Sequence, residues 1–252
     1  MSFADSGEGL LVLIPARNES RTIGPLVEHC RRLGADVWVL NDASTDGTKE
    51  AAEQAGARVL TFPQPQGKTA LLRQALGQVP LTVPWVGFMD GDGQHDPVDW
   101  PRFWEARFQA DLIMGDRWAD CRQMPWSRRV VNRFMSGTLN FLAGGRAPDT
   151  QCGFRLARRA WLRDWQPQGR HFEFESEQYL QALRSGARVV SVPIRAIYAE
   201  EKSKIQVARD TWRFARLLLR WLGTKEEKSS RSSWWKIGGP FWHSPWFGRR
   251  MR

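Results

Sequence analysis

Trp85-Val86-Gly87-Phe88-Met89-Asp90-Gly91-Asp92-Gly93-Gln94-His95-Asp96-Pro97 passes from apolar to acidic within a few residues. The apolar part, Trp85 to Met89, is short, follows Pro84 and reads as a buried strand. The chain then turns through glycines, and Pro97 is suited to open a helix. Asp90 and Asp92 therefore fall at the C-terminal end of a strand, where open α/β sheets bind ligands. Two hard oxygen donors suit Mg²⁺ or Mn²⁺ better than zinc, which favours nitrogen and sulfur. An ion held by one or two carboxylates keeps positions open for substrate phosphates. Asp and Gly are also common turn residues, so this stretch taken alone fits a solvated turn as well.

The flanking sequence repeats a strand-then-helix rhythm. Leu10 to Pro15 reads as a first buried strand. Ser20 is placed to cap a helix with the apolar face Ile23, Leu26, Val27, Cys30 and Leu33. Val37 to Leu40 is a second strand, and the polar loop Asn41 to Thr48 leads into a helix through Glu53. Val59 to Phe62 is a third strand, followed by a loop and helix from Gly67 to Leu76. This alternation predicts a doubly wound, largely parallel sheet. Further on, Ala110 to Met114 reads as a strand, 127–143 as a basic helix, Phe172 to Leu183 as a helix and Val189 to Ile194 as a strand. Across Ile205 to Leu222 a helical pattern sets Arg209, Arg213, Arg216 and Arg220 on one stripe. That helix either lies on an anionic membrane or packs on the domain with its arginines outward.

Composition narrows the class. With 252 residues, 42% of them hydrophobic, the chain has material for one large α/β core. No apolar run is long enough to predict a membrane-spanning helix. The N-terminus lacks the pattern of a signal peptide, so a cytoplasmic protein is expected. Cys30, Cys121 and Cys152 form neither a metal spacing nor a disulfide framework, which leaves reduced thiols. Lys plus Arg is 37 against 27 Asp plus Glu, a net charge of +10 that favours a polyanionic partner. Residues 225–252 hold seven basic and two acidic residues together with Trp234, Trp235, Trp242 and Trp246. Trp with Lys and Arg is what a membrane–water interface attracts. No nucleic-acid module is evident, and nucleic acid is not expected as a partner. The expected organisation is one folded domain over 1–223 and a basic, Trp/Arg-rich tail over 224–252, beyond the amphipathic helix.

The motifs occur in a recognisable order. They are Ile14-Pro15-Ala16-Arg17-Asn18-Glu19, Asn41 to Thr48, Gly67-Lys68, Asp90 to His95, Gly115-Asp116-Arg117, Ser127-Arg128-Arg129 through Asn132, Asp149 to Arg155, Phe172 to Glu175, and Ser203-Lys204. Together they resemble the family 2 glycosyltransferases, and within them the dolichyl-phosphate mannosyltransferase-like group. The resemblance covers roughly residues 10 to 222. It implies a GT-A type, Rossmann-like fold and an inverting transfer from a nucleoside-diphosphate sugar to a polyprenyl phosphate. The reaction would run on the inner face of the cell membrane, with the enzyme held there peripherally.

The same resemblance implies roles residue by residue. Asp90, Asp92 and Gln94 would hold Mg²⁺ or Mn²⁺ on the donor diphosphate, with Gly91 beside them, the ion acting as a Lewis acid on the leaving group. Pro15, Arg17, Glu19 and Asp42 would surround the nucleoside. Glu19 is otherwise placed for the first turn of a helix. Lys68 is either a phosphate contact or a solvated lysine. Asp92, Arg117 and Arg129 would be the residues nearest the chemistry, and Arg128 and Lys204 would hold the acceptor phosphate. A phosphate monoester is largely ionised at neutral pH and attacks without a base, so the site needs cations, and arginine offers a bidentate fork. His95 reads as structural. Arg17 and Asn41 depart from the family's usual residues at the nucleoside end, and Ala199 to Lys202 departs from its usual approach to Ser203-Lys204.

Three other readings use the same residues. A sugar or lipid hydroxyl acceptor would need a base, for which Glu173, Glu175 and Glu177 are candidates. A nucleotidyltransferase would need a Gly-rich loop after the first strand, and Ala16 to Glu19 is not one. A non-enzymatic membrane or nucleic-acid binder would have no use for Asp92.

Overall fold

A computed structural model of the chain describes residues 9–121, 124–163, 165–169, 173–197 and 207–223. Its centre is a seven-stranded sheet. The strands are β1 (Leu10–Ala16), β2 (Asp36–Asp42), β3 (Arg58–Phe62), β4 (Trp85–Phe88), β5 (Leu112–Asp116), β6 (Arg155–Arg158) and β7 (Val189–Pro193). The order across the sheet is β3-β2-β1-β4-β6-β5-β7. β6 runs antiparallel to both of its neighbours, β4 and β5, and the remaining pairs are parallel.

The central strands are apolar on both sides, and the helices divide between the two faces accordingly. Leu10, Val12 and Ile14 of β1 pack with α1 (Ile23–Arg32), α2 (Thr48–Gln54) and α4 (Trp100–Ala106). Leu11 and Leu13 point the other way, into a cluster with α3 (Lys68–Gln78), α5 (Trp126–Ala143), α7 (Phe174–Arg184) and α8 (Val207–Gly223), and with the single turn α6 (Arg159–Leu162). Each fully buried Leu, Ile or Val contributes about 1.5–3 kcal/mol, which is why continuous apolar runs make the interior strands of a doubly wound sheet. Gly87 in β4 is required by packing: a Cβ there would collide with the ring of Trp100, which is itself fully buried.

The first half follows the sequence reading closely, and the differences have local causes. The first helix begins at Ile23 after Thr22, and Ser20 is not its cap. The Ser20 backbone N–H instead donates to Asp46 Oδ2 at 3.3 Å. Pro97 opens a 3-10 turn, Pro97–Asp99, capped by the Asp96 side chain, and α4 follows it directly, in line with the expectation that Pro97 starts a helix. β6 was not anticipated, because its four residues, Arg-Leu-Ala-Arg, look polar at both ends.

The C-terminal helix packs on the domain. Phe214 and Leu217 of α8 are buried in the core, and Arg216 Nη2 lies 3.9 Å from Glu173 Oε1. Among the described residues, no helix is long and apolar enough to cross a membrane. The tail over 224–252 and Lys204 lie outside the described residues.

Candidate active site

β2 and β3 lie on one side of β1, while β4 and its neighbours lie on the other. Such a reversal opens a crevice at the carboxyl ends of the two central strands. The loops that follow β1 and β2 are joined across its rim. Asn18 and Ala43 both take left-handed backbone conformations, with φ of 56° and 52°. Asn18 N–H donates to Ser44 Oγ at 3.0 Å, and Asn18 Oδ1 accepts from Thr45 N–H at 2.9 Å. Glu19 N–H donates to Thr48 Oγ1 at 2.8 Å. Asp42 is buried at the end of β2 and accepts from the backbone N–H groups of Gln66 (2.7 Å) and Gly67 (3.1 Å). It thereby ties the loop before α3 to the strand ends. Pro15 is half-buried near the C-terminal end of β1, and Arg17 is exposed just beyond it.

The acidic motif lies directly against the end of β1. A Cβ on Gly91 would come within 3.1 Å of the Ala16 Cβ and 3.2 Å of the Pro15 carbonyl oxygen. The Gly91 carbonyl accepts from Thr22 Oγ1 at 2.6 Å, and Gly93 takes a φ of 75° that suits glycine. Asp92 Oδ1 accepts from Gln94 N–H at 3.0 Å. Burial and the neighbouring Asp90 charge push the Asp92 carboxyl up to about 6, and Glu19 adds to the negative potential. Among the described residues no cluster of three or more His, Cys, Asp or Glu side chains could hold a metal alone. The fit to a divalent ion rests on donor chemistry: Asp90 and Asp92 bring two carboxylates close enough for one charge to raise the other, a repulsion that a cation would relieve. Those are hard oxygen donors, suited to Mg²⁺ or Mn²⁺ with further positions supplied by substrate phosphate.

Lys68 is not a solvated lysine. Its ammonium is buried between Asp90 Oδ1 and Glu175 Oε1, the latter 2.5 Å away. Burial opposes its charge, but the two carboxylates outweigh that and raise its pKa. The same contest holds Asp90 low: burial would raise its pKa, while Lys68 above all, and Arg117, keep it ionised. The loop from Asp149 to Arg155 closes over this pair. A Cβ on Gly153 would collide with Asp90 Oδ2 and come within 2.8 Å of Lys68 Nζ. Arg155 is fully buried and secures the loop, donating to the carbonyls of Cys152 (2.8 Å), Thr150 (2.7 Å) and Glu175 (2.8 Å). His95 stacks on Phe154 at 5.4 Å, and burial lowers its pKa to about 4, so it is neutral.

The arginines are distributed on the β5 and α5 side. Arg117, just after β5, makes a bidentate pair with buried Asp149, Nε to Oδ2 at 2.6 Å and Nη2 to Oδ1 at 3.0 Å. Arg128 Nη1 donates to Gln94 Oε1 at 3.4 Å, which brings the first turn of α5 to the acidic motif. Arg129 Nε donates to the Met124 carbonyl at 2.8 Å. In the sequence Asp149, Gly153 and Arg155 belong to a motif without individual roles, and Glu175 is a candidate base or part of the start of a helix under the site. The burial of Arg155 is a product of the fold that no local sequence pattern signals. A separate cavity of about 180 Å³ lies between α7 and α8, lined by Trp165, Glu177, Arg184 and Trp221 among others.

Residues 11–165 match the family model described as glycosyl transferase family 2. The chain belongs to this family. It is 31% identical over 190 residues to glycosyltransferase AglJ of Haloferax volcanii, an alignment that covers 74% of this chain and 62% of that relative. It is 28% identical over 208 residues to the undecaprenyl-phosphate mannosyltransferase of Micrococcus luteus, covering 76% and 84%. A similar match, 28% over 205 residues covering 73% and 76%, joins it to the polyprenol monophosphomannose synthase of Mycolicibacterium smegmatis. In fold it is similar to glucosyl-3-phosphoglycerate synthase from Mycobacterium tuberculosis, solved with Mn²⁺, UDP and phosphoglyceric acid. That match has a TM-score of 0.72 at 20% identity and covers 89% of this chain and 82% of the other. The family 2 enzyme described here thus has the GT-A fold and is a glycosyltransferase.

Proposed function

We propose that this enzyme transfers a sugar, with inversion, from a nucleoside diphosphate to a polyprenyl phosphate at a membrane surface. The observation that carries the acceptor class is the fate of the three candidate bases. Glu175 is paired with Lys68, Glu173 lies beside Arg216, and Glu177 accepts the Gln168 N–H at 2.7 Å. An alcohol acceptor needs a base to take its proton, whereas an ionised phosphate monoester does not. The relatives named for undecaprenyl-phosphate and polyprenol-phosphate mannose transfer support the same acceptor.

In this reading the donor lies along the crevice between β1 and β4. Pro15, Arg17, Glu19 and Asp42 border the nucleoside, and Asp90, Gly91, Asp92 and Gln94 face the diphosphate. When bound there, Mg²⁺ or Mn²⁺ supplies Lewis-acid stabilisation of the departing diphosphate. Lys68 keeps Asp90 ionised for that task. Arg117 is held rigid by Asp149 and, with Arg128, Arg129 and Lys204, orients the acceptor phosphate oxygen toward the anomeric carbon. Displacement from the face opposite the leaving group inverts that carbon, and no proton has to be removed.

The test is product formation from labelled UDP- and GDP-sugars with Mn²⁺, offered either a short-chain prenyl phosphate or the matching prenyl alcohol. Transfer to the phosphate alone, giving a product of inverted anomeric configuration, is the expected result. Transfer to the alcohol, abolished by Glu173→Gln, Glu175→Gln or Glu177→Gln, would replace this reading with the hydroxyl acceptor.

A further inference from the structure

Carboxylates secure β7 at both of its ends. At the amino end Asp111, just before β5, accepts from the Arg188 N–H at 3.0 Å and from Arg158 Nε at 3.2 Å. At the carboxyl end, beside the site, the tie comes from Asp99. The Asp96 side chain caps the 3-10 turn that follows the acidic motif, and that turn carries Asp99 into the interior, 1% exposed. Asp99 Oδ2 accepts from the Arg195 N–H at 2.7 Å, and Oδ1 accepts from Arg102 Nη1 at 2.9 Å. The same Arg102 Nη1 donates to the Pro193 carbonyl, also at 2.9 Å. One buried carboxylate thus gathers the turn after the acidic motif, α4 and the chain leaving β7.

That chain touches both halves of the site. The Ile194 N–H donates to the Asp116 carbonyl at 3.0 Å, directly before Arg117. Ala196 forms an antiparallel bridge with His95, and the Ile197 N–H donates to the Gln94 carbonyl at 3.0 Å. Residues 194–197 therefore run from the arginine side to the acidic motif. Ser203-Lys204 follow shortly after in the sequence. Burying a carboxylate is costly unless its oxygens are bonded, and here each oxygen has a donor. A neutral amide could not replace it, because it accepts on one atom only and would set its NH2 against a donor.

We propose that Asp99 is a positioning residue for the acceptor: it holds residues 193–197 against the acidic motif and so sets where the chain toward Ser203-Lys204 begins. The grip itself rests on the contacts of Asp99; its effect on the acceptor rests on the function proposed above.

The experiment compares Asp99→Asn with Asp111→Asn, which removes a carboxylate tie of the same kind from the end of β7 remote from the site. Below the melting temperature of every variant, three quantities are measured: kcat/KM for a short-chain prenyl phosphate at saturating donor, the calorimetric Kd for UDP or GDP with Mn²⁺, and hydrogen exchange of the peptide covering 193–197. Asp99→Asn is expected to lower kcat/KM by about tenfold, to keep Kd within about twofold and to speed exchange by about tenfold. Arg102→Met should reproduce the kinetic loss, and the double variant should lose little more than either single one. If Asp99→Asn does not fold, Arg102→Met carries the test, since the Arg102 side chain is 48% exposed. Asp111→Asn should lower the melting temperature while acceptor kinetics stay native. Unchanged kcat/KM in Asp99→Asn overturns the proposal and leaves the proposed function standing. An equal loss in nucleotide Kd, or the same kinetic loss in Asp111→Asn, makes Asp99 a structural residue and overturns it as well. A native chain that glycosylates the prenyl alcohol and not the phosphate refutes the acceptor class; a tenfold loss toward the alcohol in Asp99→Asn, with faster exchange, then still supports the positioning role. A native chain that modifies neither acceptor overturns both.

Discussion

Lys68 Nζ lies 2.5 Å from Glu175 Oε1 while also bridging to Asp90, so one buried ammonium joins the start of α3, the first turn of α7 and the acidic motif. The three groups are separated widely in the chain and meet only through the fold. Charges taken this far out of water are tolerated because each has a partner, and removing one partner strands the others.

Lys68→Met should therefore destabilise the protein by about 3–5 kcal/mol. Adding Glu175→Gln to that variant should recover part of the loss, because one stranded charge is then removed. Denaturant unfolding of both single variants and the double variant gives the coupling; strictly additive losses would refute the shared ion pair.

Asp92 offers a test of opposite sign. Its folded pKa, about 6, is raised above the ordinary carboxylate value. In the metal-free protein its charge costs stability at neutral pH, and that cost disappears as pH falls through the folded pKa. Asp92→Asn is expected to stabilise the metal-free enzyme at pH 7 by about 1–3 kcal/mol. The same substitution should abolish Mn²⁺-dependent binding of UDP or GDP by calorimetry. In the native enzyme, metal affinity should fall by about tenfold per unit below this pKa, since a proton competes with the ion.

The role proposed for Arg117 on the acceptor side rests on its bidentate pair with Asp149. Asp149 is held below the ordinary carboxylate range: burial alone would raise it, but the Arg117 guanidinium and its hydrogen bonds outweigh burial. Its contribution is present above the unfolded carboxylate value and is lost as pH falls through the folded one. Arg117→Lys keeps the charge and loses the fork, so kcat/KM with prenyl phosphate should drop by about tenfold or more while nucleotide binding is retained. Equal losses in both readouts would make Arg117 a structural residue.

Gly87→Ala tests the sheet itself. Its Cβ would collide with buried Trp100, so a loss of about 1–3 kcal/mol in thermal or denaturant unfolding is expected, without a change in metal binding. A neutral substitution would show that Trp100 has room to move.

Much of the architecture was readable because its determinants are local. The apolar runs of β1, β2 and β4 identify two-sided burial from a handful of adjacent residues. The turn Asp90 to Gln94 carries its own glycines and places its carboxylates at a strand end. β6 escaped notice for the opposite reason: Arg155 and Arg158 make it look like a surface segment, and only its carbonyl partners explain a fully buried guanidinium. Ser20 looked like a cap, but Asp46 from the neighbouring loop takes its N–H.

The sequence by itself determined the alternating sheet, the acidic motif at the end of β4 and the family of enzymes the chain belongs to, because strand burial and turn geometry depend on neighbouring residues. The tertiary structure alone decided that Lys68 neutralises Asp90 and Glu175, that Arg117 is clamped by Asp149, and that α8 is packed inward. Those outcomes depend on which buried charges find partners across the sheet and on which helix faces meet the core, and no local pattern specifies either.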